Sequence, residues 1–161
     1  MEHLFSPWRL DYITGEKPSG CVFCVRGNTN VPDPLVVFRG TTCYIVLNKY
    51  PYNNGHLLIV PYRHTPSLAT LTADELLEMA TLTQRSEVVL REAYNPEGIN
   101  VGINLGKPAG AGIIEHVHIH AVPRWNGDTN FMTVFGDTRV LPEDLASTAT
   151  RLRSIFERPS D

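Results

Sequence analysis

The chain has 161 residues, is 42% hydrophobic and 19% charged, and carries a formal net charge of -3 at pH 7. That length supports one sizeable core and is short for two ordinary domains, so a single domain over 1–161 is expected. The mild acidity argues against the broad basic surface that tracks polymeric nucleic acid; any anionic substrate must be gripped by local groups.

Residues 1–34 hold prolines, glycines and the polar run RGNTNVPDP with little periodicity, and are expected to form an irregular arm. The opening MEHLFSPWRLDYITGEK lacks the charged, apolar and cleavage regions of a secretory leader, and no apolar run approaches the roughly twenty residues a membrane span needs. A cytoplasmic protein without membrane contact is the expectation. The runs LVVFRG and TTCYIVLN, parted at Gly40 and Thr41, read as a β-hairpin, and HLLIVP adds a third strand after KYPYNNG.

In LTADELLEMATLTQRSEVVLREAYNPEG, Thr72 and Glu75 have capping-box spacing. Leu76, Met79, Ala80, Leu82, Val89 and Leu90 form the apolar stripe of one long helix, which Asn95, Pro96 and Gly98 end. INVGINLG and HVHIHAVP then read as strands joined by the loop KPAGAG. The tail, 126–161, holds a strand-like FMTVF and a helical EDLASTATRLRSIF after Pro142. The order predicts an α+β fold: a five-stranded antiparallel sheet over a core region 35–125, with one long helix and a C-terminal helix packed on it.

Three cysteines cannot close a disulfide framework. Cys21 and Cys24 form a CxxC, which in a reducing compartment points to metal or redox chemistry; Cys43, inside CYIVLN, reads as an inert core thiol.

The segment EHVHIHAVPRW carries His116, His118 and His120 at alternate positions. On a strand they share one face, while Val117, Ile119 and Ala121 enter the core. Three clustered imidazoles repel when charged and need partners when buried neutral, so the row requires a chemical reason. An HxH pair with a third ligand could hold a catalytic metal, or one imidazole could be a nucleophile whose tautomer its neighbours fix. Spacing alone does not separate these. His56, opening HLLIVP, would join the row from an adjoining strand. Backbone amides at Gly110, Ala111 and Gly112 could reach phosphate oxygens unobstructed, although an ordinary hairpin connection has the same composition.

With HVHIHAV in place, the sequence resembles the histidine-triad (HIT) family, whose signature is three histidines alternating with apolar residues. SPWRLDYI and GCVFC are similar to the arm of bacterial members, VLNKYPYNNGHLLIVPYRH to the nucleoside-binding strand pair, and PRWNGDTNFM to the branch acting on dinucleoside polyphosphates. The resemblance implies that His118 attacks the α-phosphorus and forms a nucleotidyl-histidine intermediate, which water or orthophosphate releases. It implies supporting roles for His120 and His56, ribose contact by Asn48, and a place for Asn104 near the transferred phosphate. It further implies a structural zinc held by Cys21, Cys24, His64 and His116, no catalytic metal, and a homodimer. One departure stands out: AGAGIIEH lacks the glutamine or serine that many members carry just before the triad. Glu115 should face away from His116 and is given no catalytic role.

The expected function is therefore nucleotidyl transfer on a dinucleoside polyphosphate such as diadenosine tetraphosphate, with phosphorolysis favoured over hydrolysis. Hydrolysis of nucleoside phosphoramidates, a nucleotide-binding protein of low turnover, and metal-dependent hydrolysis by the histidine row are the alternatives.

Overall fold

A computed structural model describes residues 20–128 and 140–159. The SPWRLDYI and FMTVF segments lie outside the described residues. Five strands, β1 (Val36–Arg39), β2 (Cys43–Leu47), β3 (Leu57–Pro61), β4 (Gly98–Ile103) and β5 (Ile119–Arg124), form one antiparallel sheet in the order β1-β2-β3-β5-β4. The α+β fold expected from the sequence, a five-stranded antiparallel sheet with one long helix and a C-terminal helix packed on it, is the fold observed.

Strand alternation divides two cores. Cys43, Ile45, Leu47, Leu57 and Ile59 face one side, with Met79, Leu82, Val89, Leu90, Leu152 and Phe156 from the helices. Tyr44, Val46, Leu58 and Val60 face the other, with Phe23 and Val36. Both faces of β2 and β3 are thus covered, so every residue in these strands is buried. Each fully buried large aliphatic there contributes about 1.5–3 kcal/mol.

The opposite face is closed by α1 (Val22–Gly27), a short helix inside the arm that the sequence read as irregular. Six residues are too few for a periodic signal, and the helix is held by tertiary bonds: Tyr44 donates to Phe23 O at 2.7 Å, and Arg39 donates to Gly27 O at 3.0 Å and Arg26 O at 3.2 Å.

Helix α2 (Ala73–Tyr94) begins at the expected capping box, with Glu75 N donating to Thr72 Oγ1 at 3.3 Å and Thr72 N to Glu75 at 2.7 Å. Its buried stripe is Glu75, Met79, Leu82, Ser86, Val89 and Leu90. Leu76 and Ala80, expected inside, face solvent. Glu75 takes the inward slot because it is neutralised there by Arg63, whose Nε lies 2.8 Å away. The helix ends on Asn95 at φ 45°, so asparagine supplies the left-handed residue and Gly98 opens β4 instead.

Glu78 of α2 anchors the β1–β2 turn by accepting from the amides of Thr41, Thr42 and Cys43. A Cβ at Gly40 would lie 2.5 Å from Glu78 Oε1, which explains glycine at that turn. Helix α3 (Leu145–Phe156), capped by Asp144 on Ser147 N at 2.9 Å, packs on β1 and α2. Among the described residues no helix is long and apolar enough to cross a membrane.

Candidate active site and adjoining metal cluster

The histidine row straddles the start of β5. Only His120 lies within the strand; His116 and His118 precede it, contrary to the expectation of a strand from residue 116. The alternation survives because the segment is tied down by Val117 N, which donates to Thr65 O at 2.7 Å. Val117 and Ala121 are buried in the helix-side core, with Ile119 packed against it. The histidines point the other way. Glu115 is exposed.

His118 is 5% exposed, and its Nδ1 lies 2.8 Å from the carbonyl oxygen of His116. A carbonyl only accepts, so Nδ1 carries the proton and Nε2 keeps a lone pair. Burial lowers the His118 pKa, outweighing the carbonyl contact that raises it, so the ring favours its neutral form. The Phe23 ring packs against it with centroids 4.8 Å apart. Nothing in the sequence singled out Phe23 except its place between the two cysteines.

A second chain of bonds fixes His120. Tyr52 N donates to His56 Nδ1 at 3.0 Å, and Asn48 Nδ2 lies 3.3 Å from the same nitrogen. His56 must then bear its proton on Nε2, which lies 2.9 Å from His120 Nδ1. That donation leaves the His120 proton on Nε2, a buried atom with no hydrogen-bond partner among the described residues. A buried N–H with no acceptor is a costly feature in a folded protein and marks a place for a ligand atom. Burial, then the neighbouring His118, pushes the His120 pKa down to about 4. The His118 and His120 rings are 4.8 Å apart, so a lone pair and an N–H donor stand side by side. Tyr52 stacks on His120, 5.8 Å between centroids, a contact that no sequence pattern announced.

The structure brings Asn48 to the outer end of this relay, where its Oδ1 also accepts from Tyr50 N at 3.0 Å. Asn104 and the glycine loop associate with each other: Asn104 Nδ2 lies 3.4 Å from Gly110 O, and Ala111 N donates to Gly106 O at 3.3 Å. Gly110 has φ +91°, a conformation that favours glycine. Ala111 is buried, and Gly110 and Gly112 are exposed.

Beside His118 lies a second cluster. Cys21 Sγ is 3.3 Å from His116 Nδ1, Cys24 Sγ is 3.4 Å from His64 Nδ1, and Cys24 Sγ is 3.7 Å from His116 Nδ1. All four donor atoms fall within 4.8 Å of one another. Ligand bonds of tetrahedral zinc place sulfur and nitrogen about 3.6 Å apart, so this donor set fits a zinc-sized ion. His116 Nε2 lies 2.8 Å from Pro61 O and must donate to it, which turns the lone pair of Nδ1 towards the thiols. Burial and then the charge of Cys21 raise the pKa of Cys24, a shift that a bound cation would oppose. Cys43 is fully buried with its thiol pushed up to about 11 by burial, as expected of a core cysteine.

The HIT domain model matches residues 29–127. The AP-4-A phosphorylase of Mycobacterium tuberculosis is 39% identical over 98% of this chain and 86% of its own length. The bis(5'-adenosyl)-triphosphatase of Dictyostelium discoideum is 30% identical over 76% of this chain and 85% of its own. Among solved structures, a Zn-bound histidine triad family protein from Mycobacterium smegmatis superposes with a TM-score of 0.68 at 31% identity, covering 84% of this chain and 91% of that one.

Proposed function

Because this chain belongs to the HIT domain family and is an enzyme of its nucleotidyl-transfer and hydrolysis kind, we propose that it cleaves dinucleoside polyphosphates through a covalent nucleotide on His118. The observation that carries this reading is the His118 tautomer: with Nδ1 donating to His116 O, the Nε2 lone pair is the nucleophilic atom. With diadenosine tetraphosphate, Nε2 forms a bond to the α-phosphorus as the bond from that phosphorus to its bridging oxygen breaks, and ATP leaves. An oxygen of orthophosphate then attacks the same phosphorus, the N–P bond breaks, and ADP is released. The unpartnered Nε2–H of His120 donates to a phosphate oxygen as charge builds there.

His118, His120 and His56 are the proposed catalytic group. Asn48, Asn104 and the Gly112 amide are the proposed substrate contacts; the Gly110 and Ala111 amides, expected in the same role, donate to Lys107 O at 3.0 Å and Gly106 O at 3.3 Å and would have to exchange these bonds for phosphate oxygens. Displacement at phosphorus depends on positioning and charge stabilisation, which these groups supply without a catalytic metal. The proposed zinc, held by Cys21, Cys24, His64 and His116, is structural: it ties α1 to the sheet and keeps the His116 ring out of the chemistry. A cytoplasmic setting goes with this reading, since a reducing compartment keeps both thiols available as ligands. For the proposed homodimer, β4 is the outer strand of the sheet among the described residues, and Val101 on it is exposed.

Orthophosphate is the proposed acceptor, supported by the 39% identity to a phosphorylase. Product analysis with diadenosine tetraphosphate and orthophosphate tests it: ADP plus ATP is the expected pair. AMP plus ATP, or two ADP formed without phosphate uptake, would overturn phosphorolysis. Failure to trap a nucleotide on wild-type protein, or its persistence in His118→Ala, would overturn the covalent route.

A further inference from the structure

The turn that follows β5, in the sequence PRWNGD, makes bonds that the proposed chemistry does not explain. Asp128 receives Arg124 Nε at 2.7 Å and Nη2 at 2.8 Å, Trp125 N at 3.2 Å, and Asn53 Nδ2 at 2.8 Å. The carboxylate is mostly buried, with a side-chain exposure of 12%. Asn53 Nδ2 also donates to Pro123 O at 3.2 Å. Asn53 therefore bridges the β2–β3 loop to the end of β5, across 75 residues of sequence.

That loop closes around His56. The amide of His56 donates to Asn53 O at 3.2 Å, and the amide of Tyr52, one residue earlier, donates to His56 Nδ1 at 3.0 Å. The backbone on either side of the Asn53 carbonyl thus sets both the position of His56 and the nitrogen that bears its proton. Through His56 Nε2 and His120 Nδ1 the same setting decides which His120 nitrogen presents N–H.

We infer that Asn53 and Asp128 are positioning residues that hold His56 in its Nε2–H tautomer and so aim the His120 N–H at the reacting phosphate. The inference rests on the proposed function for its kinetic consequence, but the tautomer stands without it. Arg124 serves the same end by holding the Asp128 carboxylate in one orientation through two parallel bonds. An amide against a buried carboxylate is directional, so a charge placed at 53 would push the loop away from 128.

The experiment is imidazole 15N NMR on the full chain, paired with steady-state kinetics on diadenosine tetraphosphate and a thermal melt. In the wild type, His56 Nδ1 is expected to resonate as an unprotonated acceptor and Nε2 as N–H. Asn53→Asp, nearly isosteric, should mix the two tautomers and lower kcat about tenfold or more, with KM little changed. Asp128→Asn, which weakens the acceptor facing Asn53 and the Arg124 pair, should move both readouts in the same direction. Asn53→Ala supplies the same readouts without added charge if Asn53→Asp does not fold.

A wild-type His56 spectrum in folded Asn53→Asp or Asn53→Ala would overturn the inference. So would a wild-type His56 spectrum in folded Asp128→Asn. If the wild type shows no nucleotidyl transfer while the spectra change as expected, the functional reading fails and the positioning inference holds.

Discussion

The carbonyl oxygen of His116 lies 2.8 Å from Nδ1 of His118, and the ring of the same His116 points its own Nδ1 into the cysteine cluster. One residue therefore belongs to both centres: its side chain joins the thiol–imidazole cluster proposed to hold zinc, and its main chain fixes the tautomer of the proposed nucleophile. Disturbing the cluster should reach the chemistry through a single residue.

Metal analysis of the purified protein is expected to give one zinc per chain, lost in Cys21→Ser and reduced in His64→Ala. With free zinc about a thousandfold above its Kd, binding contributes about 4 kcal/mol, so chelation should lower the melting temperature by several degrees. Nucleotidyl transfer should weaken as α1 loosens. A metal-free protein that keeps α1 protected in amide exchange refutes the structural role.

Phe23 is 3% exposed and touches the rings of both His116 and His118. Phe23→Ala is expected to cost about 3–5 kcal/mol from the cavity it leaves. Phe23→Leu keeps most of the volume, and should fold with a melting temperature near wild type yet slow formation of the covalent nucleotide. Rapid-quench measurement of that step tests it; an unchanged rate would show that the ring only fills space.

Acid should destabilise the fold in two windows. His120 is held neutral, its pKa about 4 against an ordinary 6.5, so the unfolded chain takes up a proton first, and this contribution to stability is lost as pH falls from 6.5 to about 4. Glu75, held at about 2 mainly by the Arg63 guanidinium, stabilises above about 4.5 and loses that contribution as pH falls towards 2. Melting temperatures of His120→Asn and Glu75→Gln across pH 2–7 should each flatten in the matching window. A Glu75→Gln curve parallel to wild type below pH 4.5 would contradict this assignment.

Phe156 is fully buried between α3 and β1, against Phe38 at 5.7 Å between centroids and beneath the Arg85 guanidinium. Phe156→Ala should cost about 3–5 kcal/mol in urea unfolding without altering the His118 tautomer. Its effect on the reaction should be no larger than the folded fraction explains.

The β-branched runs and the capping box of α2 were legible because they are local: side chains alternate along a strand, and Thr72 and Glu75 meet within one helical turn. The clustering of the proposed site residues was legible for a related reason, since HVHIH puts three imidazoles on one face and CVFC brings two thiols together. Local pattern failed where a distant partner decided the outcome. Arg63 turns Glu75 inward at the expense of Leu76, Tyr44 and Arg39 hold α1 in an arm without periodicity, and Asn95 takes the left-handed position assigned to glycine. The tautomers, too, came only from the fold. The carbonyls of His116 and Pro61 and the amide of Tyr52 are main-chain groups common to nearly every residue, so no letter in the sequence marks which of them will face an imidazole nitrogen. Sequence supplied the clustered imidazoles; the tertiary structure assigned their protons, because a histidine proton sits wherever the nearest fixed acceptor or donor requires it.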